Sequence, residues 1–261
     1  MIIFLDLDDT LWKMHQIPYS AKQAIQRAHE HGHKIFINTG RTRSEVPHHI
    51  LEELPLSGFC FGAGSEILIN KKQVFYQPLN KKDTKDLAKK LEPMDLGVSL
   101  EGSEATFQNP KNYEMFQRFA QMDRTGSGRI QHYKIEQMTE KDYDQIMKIS
   151  VIQGEQFDPT PINALLHDEL VFTPFSNTGG EITNKNLNKA TAIRFVKEYY
   201  KTNEQTMAIG DSENDITMLK EADISIAMGN GQESVKTIAK YITTNIEDNG
   251  IYNAFKNFDL I

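Results

Sequence analysis

The chain has 261 residues, of which 39% are hydrophobic and 25% are charged, and its formal net charge is −7 at pH 7. These proportions are typical of a folded globular protein and exclude a disordered or fibrous class, and the length suits one large domain or two moderate ones. Because the overall charge is acidic, no basic surface for nucleic acid or an anionic membrane is predicted, and we expect neither as a partner.

The only cysteine, Cys60, excludes a disulfide within the chain and is typical of proteins of the reducing cytosol. Phe59 and Phe61 flank it, so we interpret it as a small buried packing residue. The apolar run at the N-terminus is too short and too acidic for a signal peptide, and no run reaches the length of a membrane span. We therefore expect a soluble, cytoplasmic protein.

The first strand is predicted at residues 1–5, an apolar run that is typical of a strand buried on both faces of a parallel sheet. Three carboxylates follow within four positions, at Asp6, Asp8 and Asp9. Because each raises the cost of ionising the next, the cluster indicates either a bound cation or an acid that works beside a base. A simple polar turn is the alternative interpretation.

A strand–helix–strand unit is predicted at the start of the chain. The helix extends from Ser20, as its N-terminal cap, to Gly32, where it should end, and a second strand over residues 34–38 leads into Thr39. This order predicts two parallel strands joined by a right-handed crossover. Ligands of such sheets bind beyond the carboxyl ends of the strands, so we expect Asp6 and Thr39 at the same edge.

The pattern changes from about residue 80, after a third predicted strand at 58–61. Beyond this point, short strands with one apolar and one polar face alternate with helices predicted over 81–91, 113–122 and 140–147. Such strands are typical of an antiparallel sheet that is covered on one side by helices.

In the last third of the chain, helices again alternate with buried strands, as they do at the start of the chain. A helix is predicted over 188–200, and a buried strand over 206–209 leads into Gly210–Asp215. The simplest architecture is one parallel-sheet domain that is interrupted by an inserted α+β domain.

Two pairs of carboxylates follow predicted strands. Asp6 and Asp8 follow the first strand, whereas Asp211 and Asp215 follow the strand over 206–209. If both strands belong to one sheet, these acids converge on one edge, where hard oxygen ligands suit Mg²⁺. Capping of a helix N-terminus is the alternative for the second pair. Two separate clusters at strand ends favour the metal site.

Lys189 lies in the first turn of a helix that Asn188 is predicted to cap, where the helix dipole disfavours a cation. A solvated surface lysine is the alternative, but this position also suits a positive charge directed at an anion beside the metal. Thr39 and the amide of Gly40 supply neutral donors of the kind that hold a phosphoryl oxygen. Together these groups indicate phosphoryl transfer, in which catalysis is mostly positioning and charge stabilisation.

The segment Asp6-Leu7-Asp8-Asp9-Thr10 resembles the DxDxT signature of the haloacid dehalogenase (HAD) superfamily. Thr39, Lys189 and Gly210–Asp215 resemble the second, third and fourth motifs of this family, in the family's order. The Thr-Gly-Arg form of the second motif and the GDSxND form of the fourth are similar to the Cof-type branch, phosphatases with a type IIB cap.

The resemblance implies an α/β fold with a Rossmann-like, parallel-sheet HAD core over residues 1–80 and 185–261. An α+β cap domain, inserted over residues 81–184, would determine substrate specificity. The resemblance covers nearly the whole core, whereas the middle segment matches the cap of this branch only by its position and its pattern.

The resemblance also implies roles for individual residues. Asp6 is similar to the nucleophile that forms an aspartyl-phosphate, and Asp8 to the general acid that then becomes the base. The implied Mg²⁺ ligands are Asp6, Asp211 and the backbone carbonyl of Asp8. Asp215 would orient the waters of the metal or Lys189. The residues implied to contact the phosphoryl group are Thr39, Gly40, Lys189 and Asn214.

Two positions depart from the family pattern. Asp9 stands where many relatives have Gly, and we interpret it as a turn residue whose side chain points away from the site. Phe61 stands where many Cof-type relatives have Asn, so the loop after it is not included in the predicted site.

The leading hypothesis is a Mg²⁺-dependent phosphatase that acts on small phosphorylated metabolites, sugar phosphates in particular. An HAD-type sugar phosphomutase is an alternative; it would have to hold a second phosphate, for which the middle segment offers Arg118, Arg124 and Arg129. A catalytically idle binding module is the third hypothesis, because a fold alone does not determine function.

The sequence does not identify the substrate, because no motif can be read in the predicted cap. His132, His167 and Asp168 lie there, but a single histidine is more often structural or solvated than a ligand. The oligomeric state is open, with a monomer favoured.

Overall fold

The structure, a computed structural model, describes residues 1–47, 52, 54–114, 132–154 and 157–261. Within them the chain forms two compact units. The first unit comprises the described residues of Met1–Gly40, His48–Tyr76 and Leu187–Ile261, and the second comprises those of Arg41–Pro47 and Gln77–Asn186. No helix in this part of the chain is long and apolar enough to cross a membrane.

The strands and helices within the described residues are numbered in chain order. The strands are β1 (Ile2–Leu5), β2 (Lys34–Asn38), β3 (Gly58–Phe61), β4 (Glu66–Ile69), β5 (Lys72–Tyr76), β6 (Gly97–Gly102), β7 (Thr106–Gln108), β8 (His132–Lys134), β9 (Ile146–Ile152), β10 (Leu170–Ser176), β11 (Gly179–Asn184), β12 (Thr206–Gly210), β13 (Ile224–Ala227) and β14 (Tyr241–Ile242). The α-helices are α1 (Tyr19–Glu30), α2 (Lys81–Leu91), α3 (Thr160–Asn163), α4 (Lys189–Tyr200), α5 (Ile216–Glu221), α6 (Glu233–Ile238) and α7 (Gly250–Asn257).

The first unit is built on an eight-stranded sheet with the order β14-β13-β12-β1-β2-β3-β4-β5. The strands from β14 to β3 are parallel, and β4 and β5 extend the sheet as an antiparallel hairpin. All four residues of β1 are buried, and this strand has a parallel neighbour on each side. The predicted α/β fold with a parallel central sheet is confirmed.

The packing of α4 against this sheet fixes the start of the helix. Phe4 of β1 and Phe36 of β2 stack with their ring centroids 5.4 Å apart. Ile193 and Val196 of α4 are fully buried in the same apolar cluster. Because burial of each side chain of this size stabilises a fold by roughly 1.5–3 kcal/mol, the position of α4 on the sheet is strongly specified.

The second unit contains a six-stranded sheet with the order β10-β11-β9-β6-β7-β8. Its strand pairs are antiparallel except for β7 and β8, which are parallel. Leu100 and Ile149 belong to the apolar cluster of this unit, whereas the adjacent Ser99 and Ser150 are paired across the same two strands on the opposite face. The predicted antiparallel sheet is therefore correct apart from one parallel pair at its edge.

Two predictions of local structure are wrong. The helix predicted over 140–147 is a short 3-10 helix at Asp142–Gln145, and Ile146 already begins β9. Pairing of β9 with β6 on one side and β11 on the other outweighs the local helical pattern. Ser20 is not the cap of α1, because the helix begins at Tyr19 and no side chain caps it.

The end of α1 agrees with the prediction, since Gly32 follows the helix with a left-handed φ of +84°. Most of the helix predicted over 113–122 lies outside the described residues. The same is true of Arg118, Arg124 and Arg129, which the phosphomutase hypothesis invoked.

Glu204 joins the starts of β1 and β2. Its carboxylate accepts a hydrogen bond from Lys34 Nζ at 2.7 Å and lies 2.9 Å from the α-amino group of Met1. These two cations lower the pKa of Glu204 from its ordinary value of 4.5 to about 2. A lowered pKa stabilises the fold above the unfolded-state pKa, and this contribution is lost as the pH falls through the folded-state value.

We expect Glu204→Gln to lower the free energy of unfolding at pH 7 by about 0.5–1 kcal/mol, a small effect because solvent screens a partly exposed ion pair. The difference from wild type should shrink between pH 4.5 and about 2. Urea denaturation at several pH values measures it. Glu198→Gln, which makes the same charge change at an exposed position of α4, is the control. A difference that does not depend on pH would contradict the role of the Lys34 contact.

Candidate active site

The candidate site lies where β1 and β12 end side by side. Asp6 and Asp211 are the first residues after these two paired, parallel strands. The amide of Asp6 donates a hydrogen bond to the carbonyl of Ile209 at 3.0 Å, so the strand pairing continues to the edge of the sheet. The two carboxylates therefore meet at one edge, as the sequence predicts.

Asp215 turns back toward the end of β12. Its Oδ2 accepts hydrogen bonds from the amides of Asp211 at 2.9 Å and Ser212 at 3.0 Å, and its side chain is fully buried. A Cβ on Gly210 would lie 2.5 Å from Cγ of Asp215. Glycine is therefore needed at the end of this strand to allow the close approach of the carboxylate.

Lys189 connects the two strand ends. It is the first residue of α4, and Asn188 caps this helix by accepting two amide hydrogen bonds, as predicted. Nζ of Lys189 donates to Oδ1 of Asp6 at 2.6 Å and to Oδ1 of Asp215 at 2.5 Å. Only 1% of the lysine is exposed, so the alternative of a solvated surface lysine is wrong.

Two asparagines hold Lys189 from other directions. Asn38, the last residue of β2, donates from Nδ2 to the carbonyl of Lys189 at 2.9 Å. Asn214 accepts a hydrogen bond from Nζ at 3.1 Å through its Oδ1. The backbone and the ammonium group of the lysine are thus both fixed by neighbouring elements of the first unit.

Three negative charges crowd around this one cation. One oxygen each of Asp6, Asp211 and Asp215 lies within 4.8 Å of the others. Burial, followed by the charge of Asp215, raises the pKa of Asp6 well above its ordinary value, although Lys189 opposes the shift. The same two causes raise the pKa of Asp211 to about 6. Burial disfavours the charge of Lys189, but the carboxylates of Asp215 and Asp6 outweigh it and raise the pKa of the lysine.

This donor set fits a divalent cation. Oδ2 of Asp6 and Oδ2 of Asp211 receive no hydrogen bond from any residue that the structure describes. A second cation would relieve the repulsion that raises both pKa values, and hard carboxylate oxygens are the ligands that Mg²⁺ prefers. Asp215 is less suited to be a direct ligand, because both of its oxygens already accept hydrogen bonds.

The turn after β1 contributes two donors that were absent from the predicted site. Thr10 Oγ1 donates to Oδ1 of Asp211 at 2.8 Å, and Nε1 of Trp12 donates to Oδ1 of Asp8 at 2.9 Å. Both donor residues are buried. The sequence did carry a signal for them, because Thr10 ends the DxDxT pattern and Trp12 is the only tryptophan of the chain.

Asp9 is exposed and adopts a left-handed φ of +53°. Aspartate, asparagine and glycine adopt this conformation more readily than other residues, which explains how an aspartate can stand where many relatives have glycine. The carbonyl of Asp9 accepts a hydrogen bond from Nδ2 of Asn230 at 2.8 Å. The interpretation of Asp9 as a turn residue is confirmed.

Thr39 and Gly40 follow β2 at the same edge of the sheet. Thr39 is buried, and its amide donates to the carbonyl of Cys60 at 2.9 Å. A Cβ on Gly40 would lie 3.7 Å from Nδ2 of Asn214, so this glycine lies beside the loop that follows β12. The structure thus brings Gly40 next to Asn214, which binds Lys189, and places Thr39 after β2 at the same edge of the sheet.

The histidines singled out in the second unit have partners there. Nε2 of His132 lies 3.4 Å from Oε1 of Glu45, and Nε2 of His167 lies 3.0 Å from Oδ2 of Asp83. Asp168 is exposed. These positions agree with the interpretation of the three residues as structural or solvated.

The chain matches the family model of haloacid dehalogenase-like hydrolases over residues 3–255. The chain belongs to this family. The resemblance carried by the DxDxT segment and the later motifs, including the Cof-type branch, is therefore confirmed.

Several known proteins are similar along their whole length. The 5-amino-6-(5-phospho-D-ribitylamino)uracil phosphatase YcsE of Bacillus subtilis (strain 168) is 33% identical over 276 residues, covering 99% of this chain and 96% of that protein. Phosphatase YwpJ of the same organism is 23% identical over 282 residues, covering 98% and 99% of the two chains. The family match and these relatives confirm the predicted enzyme class, an HAD-like phosphatase.

Solved structures share the fold. The HAD subclass IIB sugar phosphatase BT4131 superposes with a TM-score of 0.82 at 22% identity, covering 100% of this chain and 99% of that one. The phosphatase BT1666 of Bacteroides thetaiotaomicron also has a TM-score of 0.82, at 25% identity, with 100% and 95% of the chains covered. The core-plus-cap α/β fold expected from the sequence agrees with these neighbours.

We expect Lys189→Met to lower the free energy of unfolding at pH 7 by about 3–5 kcal/mol, because it leaves buried carboxylates without their cation. The loss should be smaller at pH 5, where Asp6 takes up a proton more readily and the repulsion falls. Urea denaturation in the presence of a chelator measures both values.

Lys220→Met is the matched control for this measurement, since Lys220 is an exposed lysine of α5 and its replacement should change stability by less than about 0.5 kcal/mol. Equal losses in the two variants would show that the buried ion pairs contribute nothing specific.

Proposed function

We propose that the protein is a Mg²⁺-dependent phosphatase that hydrolyses small phosphomonoesters, sugar phosphates in particular, through an aspartyl-phosphate on Asp6. One observation carries this proposal. Asp6 has one oxygen bound to Lys189 and the other without a donor among the described residues, and it lies beside Asp211. An acid held in this way is fixed in orientation by its ion pair with Lys189, as a nucleophile must be.

In the first step, an oxygen of the Asp6 carboxylate forms a bond to phosphorus, and the bond from phosphorus to the leaving alcohol oxygen breaks. A proton from the Asp8 carboxyl group passes to that oxygen, so the alcohol departs neutral. Lys189 stabilises the negative charge on the phosphoryl oxygens, and Thr39, Gly40 and Asn214 are the proposed polar contacts around them.

In the second step, a water oxygen attacks phosphorus and the bond to Asp6 breaks, which releases inorganic phosphate. Asp8, now a carboxylate, accepts a proton of the water and returns to its starting state. A Mg²⁺ ion held by Asp6, Asp211 and the carbonyl of Asp8 would neutralise charge between the nucleophile and the phosphate. Asp215 keeps Lys189 in place throughout.

We also propose that residues 1–80 and 185–261 act as the hydrolase core and residues 81–184 as the substrate-selecting cap. All the proposed catalytic and metal-binding residues belong to the first unit, which supports the division. One segment departs from it, because Arg41–Pro47 groups with the second unit. Within that unit, Oγ of Ser44 donates to the carbonyl of Gly102 at 2.8 Å.

The substrate class is proposed from two observations. The sheet of the second unit has a largely buried polar face, on which Glu181, Ser150, Ser99 and Gln108 are neighbours across four strands. Polar groups of this kind suit the hydroxyl groups of a sugar or polyol. The relative YcsE is named for a phosphorylated ribityl compound, a polyol phosphate. A phosphate-release screen should therefore include hexose phosphates, polyol phosphates and 5-amino-6-(5-phospho-D-ribitylamino)uracil. Activity only on compounds without a polyol chain would contradict this class.

We expect Asp6→Asn to reduce phosphatase activity on the order of 10⁴-fold or more, because an amide cannot serve as the nucleophile. Hydrolysis of p-nitrophenyl phosphate measures the loss, and in the wild type it should require Mg²⁺ and stop on addition of a chelator. Asp9→Asn makes the same change of charge three positions away at an exposed turn, and it should keep activity close to wild type. Undiminished activity in Asp6→Asn would overturn the mechanism.

A further inference from the structure

Trp12 is buried in the turn that follows β1, with 1% of its surface exposed. Its indole Nε1 donates a hydrogen bond to Oδ1 of Asp8 at 2.9 Å. The backbone of the same turn is closed by two further bonds: the amide of Trp12 donates to the carbonyl of Leu7 at 2.9 Å, and the amide of Asp9 donates to the carbonyl of Trp12 at 2.8 Å. The indole is therefore fixed relative to Asp8 by both its side chain and its backbone.

Neighbouring groups hold this turn in place. His15 contacts the indole edge-on, with ring centroids 4.9 Å apart and planes at 90°. Asn230 donates from Nδ2 to the carbonyl of Asp9 at 2.8 Å. The turn also uses a second side-chain donor, Thr10, for a different acid, Asp211. Each of the two donors thus serves one carboxylate.

We propose that Trp12 is a positioning residue for Asp8: the indole N–H binds Oδ1 and fixes the orientation of the carboxyl group that transfers the proton. This inference rests on the proposed function, in which Asp8 is the acid and then the base. An indole nitrogen only donates a hydrogen bond, so Oδ1 remains an acceptor and the transferable proton of Asp8 is carried by Oδ2.

Both steps of the reaction then use the same oxygen. When the bond between phosphorus and the alcohol breaks, the proton leaves Oδ2 of Asp8 for the alcohol oxygen. When water attacks and the bond from phosphorus to Asp6 breaks, a proton of the water returns to Oδ2. Because the acid and the base must lie within hydrogen-bond reach of the reacting oxygen, a fixed carboxyl orientation serves both steps.

The inference predicts an effect that depends on the leaving group. An alkoxide needs a proton as it leaves, whereas p-nitrophenolate leaves readily without one, so only alkyl phosphates require Asp8 as an acid in the step that kcat/KM reports. Loss of the indole N–H should lower kcat/KM for an alkyl phosphate by about tenfold relative to p-nitrophenyl phosphate.

Two replacements of Trp12 separate the hydrogen bond from packing. Trp12→Phe removes the N–H and part of the ring, and incorporation of 3-benzothienylalanine at position 12 removes the N–H while keeping the shape. Both should lower the ratio of kcat/KM for the alkyl phosphate to that for p-nitrophenyl phosphate. Thr10→Val, which removes the other side-chain donor of the turn, should leave this ratio unchanged. A normal ratio in the benzothienylalanine protein would overturn the inference.

The test distinguishes this inference from the proposed function. If Asp8→Asn hydrolyses alkyl phosphates as well as wild type does, the proposed role of Asp8 is wrong. If Asp8→Asn is inactive on alkyl phosphates while the benzothienylalanine protein keeps the wild-type ratio, only the role of Trp12 is wrong.

A second readout does not depend on activity. Trp12 is the only tryptophan, so the ¹H–¹⁵N spectrum contains one indole N–H signal. In Asp8→Ala this signal should move upfield, because the donor loses a carboxylate acceptor. An unchanged indole signal would contradict the hydrogen bond on which the inference depends.

Discussion

The candidate site depends on the ion pairs of one buried lysine. Nζ of Lys189 contacts Asp6, which follows β1, and Asp215, which lies in the loop after β12. Removing a charge from water costs several kcal/mol unless partners are supplied, so the fold must bring both carboxylates to the start of α4. The helix dipole opposes a cation there by only about 0.3–1 kcal/mol, which the two direct contacts outweigh. The position of Lys189 at a helix N-terminus is thus a consequence of the carboxylates around it.

The carboxylates at the ends of β1 and β12 are held by different hydrogen-bond donors. Asp6 is bound by Lys189, Asp211 by Thr10 and Asp8 by the indole of Trp12, so these three carboxylates have different donors. Burial, together with the neighbouring charge of Asp215, raises the pKa values of Asp6 and Asp211. Perturbed acids that converge in this way are typical of catalytic sites, and they are relieved when a cation binds.

The sequence specifies the two faces of the sheet in the second unit to different degrees. Its apolar face needs hydrophobic side chains at every second position, and this alternation is visible in the sequence. The other face needs only polar residues, and it includes a buried group in which Lys148 lies 2.8 Å from Glu181 and 3.3 Å from Glu101. No local rule selects these partners, because they come from three different strands. This is the physical reason why no substrate motif could be read there.

The sequence by itself determined the elements whose signal is local. Continuous apolar runs marked β1 and β2, the second of them to the residue, and Asn188 marked the start of α4. The tertiary structure alone decided what depends on distant partners. It assigned Ile146 to a strand because two neighbouring strands pair with β9, and it buried Lys189 against an acid 183 positions away. It also turned Trp12 toward Asp8. Local patterns report which face of an element is buried, whereas the partner of a buried polar atom is set by the packing of the whole chain.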